Sequence, residues 1–182
     1  MIYMTEKRTV LTEENKGFSV GDLILVAVLI AAGTVLKLLV GTYINFFGMK
    51  PNFIIASYCL AILLVRPKLY QAAIIGLLTG AVCQFLPGTP WINFISELLG
   101  AVCMCLMIKI PMKIKKLDLN PLVSTFVSTV VSGGSFTVCL FIFTEADASA
   151  MVAYVPIVLL TAIFNAVIVQ LLYIPLKKIL KK

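Results

Sequence analysis

Histidine is absent from all 182 residues. With it goes the commonest zinc ligand and the commonest general acid or base. Charge is scarce as well: only 13% of the chain is Asp, Glu, Lys or Arg. No Gly-x-Ser-x-Gly element, no P-loop and no pair of neighbouring intramembrane carboxylates occurs, which leaves an enzyme without its usual parts. Five cysteines (Cys59, Cys83, Cys103, Cys105 and Cys139) lie inside apolar runs and lack metal-type spacing. They read as small buried apolar residues, so neither a metal nor a cofactor is expected. The first eighteen or so residues hold Glu6, Glu13 and Glu14 and no apolar stretch before a cleavage site, so they do not read as a signal peptide.

What is present is apolar surface. The chain is 61% hydrophobic, with a mean hydropathy of +1.08. That balance fits a polytopic helical membrane protein and leaves almost nothing for a soluble domain. The expected fold is an all-α integral membrane protein, a compact bundle of six transmembrane helices. Its spans fall at about Val20 to Val40, Asn52 to Val65, Leu69 to Leu86, Trp91 to Ile110, Leu119 to Phe143 and Met151 to Leu176. The second, at about fourteen residues, is short for a crossing and suits a tilted or partly re-entrant helix. Residues 1–18 form a polar tail, 19–178 the six-helix domain and 179–182 a basic end.

The formal charge of +7 follows the ends of the spans rather than forming a nucleic-acid surface. Lys7, Arg8 and Lys16, then Arg66 and Lys68, then Lys109, Lys113, Lys115 and Lys116, then Lys177, Lys178, Lys181 and Lys182 all fall on one side of a six-span topology. The other side carries Lys50 with Glu145 and Asp147. Basic residues favour the cytoplasmic side, so both termini are expected there.

Within this frame Glu97 is anomalous. It sits six residues into the apolar run from Trp91, roughly 9 Å below the outer start of the fourth span. An ionisable group at membrane depth costs a few kcal/mol and normally meets a partner, a cavity or a ligand. Glu97 reads either as a ligand's counter-charge or as a hydrogen-bonded tie between helices. Asn93 lies one turn above it. Lys37 lies near the outer end of the first span, where it either joins a pocket or snorkels to headgroups. Asn165 shares a mid-membrane face with Thr161 and needs partners. Ser124, Ser128, Ser132 and Ser135 form one face of the fifth span, where small residues also permit close helix approach. Trp91 fits an interfacial belt or a ligand contact. Ala27-x-x-x-Ala31 and Gly76-x-x-x-Gly80 each offer a flat face, for internal packing or for a partner.

Six short spans and the Ala-x-x-x-Ala of the first helix resemble the substrate-binding S components of energy-coupling factor (ECF) transporters. Phe47-Gly-Met-Lys-Pro-Asn52 resembles the Gly-Met-Lys-Pro-Asp segment of the TrpP-type tryptophan transport proteins. Ile92-Asn-Phe-Ile-Ser-Glu97, Val131-Ser-Gly-Gly-Ser135 and Leu159-Leu-Thr-Ala-Ile-Phe-Asn165 run parallel to that family. Asn52 stands where the family has Asp, and Glu97 is likewise Glu rather than Asp. The resemblance implies a multi-pass subunit of a bacterial cell membrane that captures tryptophan or a related aromatic compound from outside. It would then dock, through Ala27 and Ala31, on a transmembrane coupling subunit served by two ATPase subunits. A zwitterion entering a low-dielectric pocket needs both charges matched. Glu97 would take the ammonium and Lys50 or Lys37 the carboxylate, with Asn93 and Asn165 nearby and Tyr43, Phe46, Phe47 and Trp91 stacking on an indole. Two other readings stay open: a vitamin-specific S component, and a small structural scaffold of the MreD type in which Glu97 only ties helices.

Overall fold

The computed structural model describes residues 18–43, 52–86, 89, 91–114, 117–144 and 148–180. Among them are six helices: α1 (Val20–Tyr43), α2 (Phe53–Val65), α3 (Leu69–Cys83), α4 (Ile92–Met107), α5 (Asn120–Thr144) and α6 (Ala148–Ile179). Among the described residues, the strand content is one two-residue antiparallel ladder between α4 and α5. There β1 (Lys113–Ile114) pairs with β2 (Leu117–Asp118). Three segments are long and apolar enough to cross a membrane: Val20–Leu39, Asn120–Thr144 and Met151–Ile179. The other three helices hold 13, 15 and 16 residues.

Length and sidedness decide where each helix goes. α2 is apolar all round, and every residue from Phe53 to Leu64 is buried. A helix without a polar face belongs in a protein core or a membrane, and the burial of α2 on every side puts it in the core. Accordingly α2 touches all five other helices. Its 13 residues span only ~20 Å, so it fills the interior without matching the long helices end to end. Asn52 starts it, its side-chain oxygen accepting from the Ile54 N–H at 3.3 Å. Arg66 ends it in the left-handed conformation, φ 51° and ψ 59°, with its N–H donating to the Ile62 carbonyl.

Around α2 the chain packs as neighbours in sequence. α3 and α4 run antiparallel through the glycine pair of α3. A Cβ on Gly76 would stand 2.8 Å from the Glu97 carbonyl oxygen and the Leu98 Cα, and one on Gly80 2.9 Å from the Phe94 Cα. The Gly-x-x-x-Gly face is therefore spent inside the bundle. α5 and α6 form a long antiparallel hairpin. At one end Gln170 accepts from the Leu122 N–H at 3.0 Å and donates to the Asp118 carbonyl at 3.1 Å. That closes a first-turn donor of α5 which has no partner within its own helix. Toward the other end Phe141 meets Tyr154 edge-on, with centroids 5.5 Å apart.

α1 lies at the margin, packed chiefly on α2. Val26, Ile30 and Gly33 form its buried stripe, at helical spacing. Gly33 admits the Ser57 side chain and the Phe53 carbonyl, which a Cβ would overlap. Ala27 and Ala31 fall off this stripe and are exposed.

Candidate functional site

Three helices bring polar groups together about Glu97. The residue is fully buried in α4, at 0% exposure. Its Oε1 accepts from Asn52 Nδ2 at 2.8 Å and its Oε2 from the Ser132 hydroxyl at 3.2 Å. One carboxylate thus joins the start of α2 to the middle of α5. Asn165 approaches from α6, its Nδ2 donating to the Asn52 carbonyl at 3.3 Å. Asn52 is therefore the hub, linked to Glu97 by its side chain and to Asn165 by its backbone.

The hydroxyl face of α5 continues from this hub toward the opposite end. Ser128 donates to the Gly100 carbonyl at 2.8 Å and lies 3.4 Å from the Cys59 sulfur. Gly100 leaves room for Tyr58, whose hydroxyl a Cβ would overlap. So the serines permit close approach and also hold α4 and α2 by hydrogen bonds.

Among the described residues, several polar atoms here are buried without a hydrogen bond: Tyr58 Oη, Thr125 Oγ1, Thr129 Oγ1 and Asn165 Oδ1. Buried polar groups are normally paired, and leaving one unpaired costs about 1–3 kcal/mol. Three of these atoms are hydroxyls, able to donate as well as accept, and Asn165 Oδ1 only accepts. The described partners of the Glu97 carboxylate are neutral. Lys37 is half-buried on α1, one turn beyond the Gly33 that packs on α2.

The residues singled out in sequence separate into three groups. Glu97, Asn165 and Ser132 converge through Asn52, while Lys37 is half-buried on α1. Asn93 is buried one turn above Glu97, but its amide donates to the Thr89 carbonyl at 3.3 Å rather than to the cluster. Trp91 stands apart at the start of α4, 75% exposed, with its N–H donating to Gln84 and its ring 6.1 Å from Phe94. Tyr43 is exposed at the end of α1. Phe46, Phe47 and Lys50 lie outside the described residues.

Depth differs from the estimate along α4 alone. Ser132 is the middle residue of α5, and Asn165 lies near the middle of α6. Measured against the long helices, Glu97 is halfway down, because α2 and α4 begin partway along them. Two members of the cluster escaped sequence reasoning as site residues. Asn52 read as the first residue of the second span, with the Gly-Met-Lys-Pro-Asn segment its one signal. Tyr58 lies inside that apolar run with nothing local to single it out.

Known proteins agree with an assignment to transport. A family model described as tryptophan transporter TrpP matches residues 19–181. A relative from Clostridium acetobutylicum, described as a probable tryptophan transport protein, is 29% identical over 160 residues, covering 86% of this chain and 91% of its own. No solved structure matches. With long apolar helices, a polar cluster buried between them and a family match running almost end to end, the chain belongs to the TrpP tryptophan transporter family.

Proposed function

We propose that this protein is the substrate-binding S component of an ECF-type importer, and that it captures tryptophan from outside the cell. All six helices cross the bilayer in this reading, with residues 19–178 as the binding domain and both termini cytoplasmic. The long segments of α1, α5 and α6 and the basic residues at one end of the bundle support that topology.

The observation that carries the proposal is the buried carboxylate of Glu97. It is fully buried and, among the described residues, hydrogen-bonded only to neutral donors. A buried carboxylate is strongly stabilised by a cationic partner. The ammonium of an amino acid supplies that charge together with hydrogen-bond donors. Lys37, or Lys50 from the segment preceding α2, answers the carboxylate. Coupling to ATP hydrolysis then belongs to partner subunits, reached through the exposed Ala27 and Ala31 face.

Replacing Glu97 with Gln tests the charge alone, because the amide still accepts from Asn52 and can donate to Ser132. We expect tryptophan affinity to fall about ten- to a hundredfold, the loss of one charged hydrogen bond, while the melting temperature moves little. Isothermal titration on the purified protein measures it. A second reading rests on Glu97 joining α2, α4 and α5, which is what a structural tie would do. Unchanged affinity in Glu97→Gln would leave only the tie. Thermal stabilisation by a vitamin and not by tryptophan would reassign the ligand.

A further inference from the structure

At the opposite end of the bundle from Asn52, a cavity of about 440 Å³ opens between the end of α2 and the last turns of α6. Leu63, Leu64 and Val65 form its apolar wall, and Tyr173, Arg66 and Lys177 complete it. We propose that it is a binding site for an anionic phospholipid, with the phosphate between Arg66 and Lys177 and the glycerol and first acyl carbons on the leucine wall.

Three features point there. Among the described residues, the cavity is lined by two cations and no acid. Asp22 and Asp118, the described acids at this end, are elsewhere: Asp22 accepts from Ser19, and Asp118 from the N–H of Asn120. Like charges sharing a cavity call for an anion between them. Next, Lys177 is held in place. Lys177 Nζ stands 5.1 Å from the centre of the buried Tyr173 ring, a cation–π distance. Arg66 occupies a left-handed helix end at φ 51°, a position that favours glycine or asparagine. This helix ending brings Arg66 to the rim of the cavity, opposite Lys177 on α6. Finally, an apolar wall beneath a basic rim matches an amphiphile better than a free anion. Exposed Leu172 and Ile174 extend apolar surface along α6. Basic pockets between helices on the cytoplasmic side hold acidic headgroups. The cavity lies in that leaflet if the proposed topology holds, and it is separate from the tryptophan site.

The test uses the full chain in nanodiscs and in detergent. Phosphatidylglycerol, phosphatidylcholine and inorganic phosphate are supplied separately, with lipid retention read by native mass spectrometry and melting by fluorescence. Phosphatidylglycerol should be retained and should raise the melting temperature, whereas the other two should not. Arg66→Gly and Lys177→Gln should each weaken its retention about fivefold. Arg66→Gly relaxes the left-handed residue, so its melting temperature in phosphatidylcholine should match or exceed wild type. A loss of lipid in that variant is then not a loss of fold. Equal retention by wild type and the double variant overturns the proposal. So does equal protection by inorganic phosphate, which would make the cavity a free-anion site, or equal retention of phosphatidylcholine. A photo-crosslinker at Lys177 that captures a protein subunit in membranes instead of lipid also overturns it. Tryptophan affinity of Arg66→Gly should equal wild type, which separates failure here from failure of the transport assignment.

Discussion

Asn52 meets two demands with one side chain: its oxygen caps α2 and its amide nitrogen donates to Glu97. An aspartate would keep the cap and lose the donor, placing a second carboxylate against the first. We therefore expect Asn52→Asp to destabilise the protein by about 2–3 kcal/mol, seen as a lower melting temperature in detergent. Asn52→Ser, which keeps a cap but not the reach to Glu97, should fall between. Glu97 was legible in the sequence because a carboxylate inside an apolar helix is expensive wherever that helix lies. Asn52 and Tyr58 were not. An amide after proline and a tyrosine in an apolar run are ordinary residues until the fold sets them beside Glu97 or Gly100.

Among the elements, two motifs of identical spacing have opposite fates. Gly76 and Gly80 are consumed between α3 and α4, where backbone atoms sit within 3 Å of any added Cβ. Ala27 and Ala31 face outward on α1. Gly76→Ala should therefore cost about 1–3 kcal/mol by overpacking. Gly134, with nothing within 4 Å of an added Cβ, provides the contrast. Gly134→Ala should raise stability by up to ~1 kcal/mol through helix propensity alone. Thermal unfolding of the pair measures both. Spacing reveals that a face is flat; it does not say what lies against it. The helix boundaries were legible to within a few residues, because Pro, Gly and charged residues interrupt the apolar runs. The small β1–β2 ladder was not, since two residues per strand leave no pattern to read.

For the whole molecule, the placement of α1 matters most. It packs chiefly on α2 and leaves its alanine face open, so a partner can bind there without disturbing the polar cluster. In the double variant Ala27→Leu/Ala31→Leu we expect tryptophan affinity and melting temperature near wild type. Under the proposed ECF coupling, uptake and co-purification of coupling subunits should drop severalfold. Transport assays and pull-downs from membranes check this. Unaffected uptake would move the docking surface elsewhere.

Composition and periodicity by themselves determined the membrane class, the six helical segments, the basic end and the anomaly of Glu97. These depend on local hydropathy and charge, which need no knowledge of neighbours. Only the tertiary structure decided that the shortest apolar segment is the central helix, that Asn52 joins Glu97 to Asn165, and that this cluster lies midway along α5 and α6. It also set Arg66 and Lys177 around one cavity. Each of these is a juxtaposition of residues far apart in the chain. Such contacts follow from how helices of unequal length pack, and nothing within a single segment specifies them.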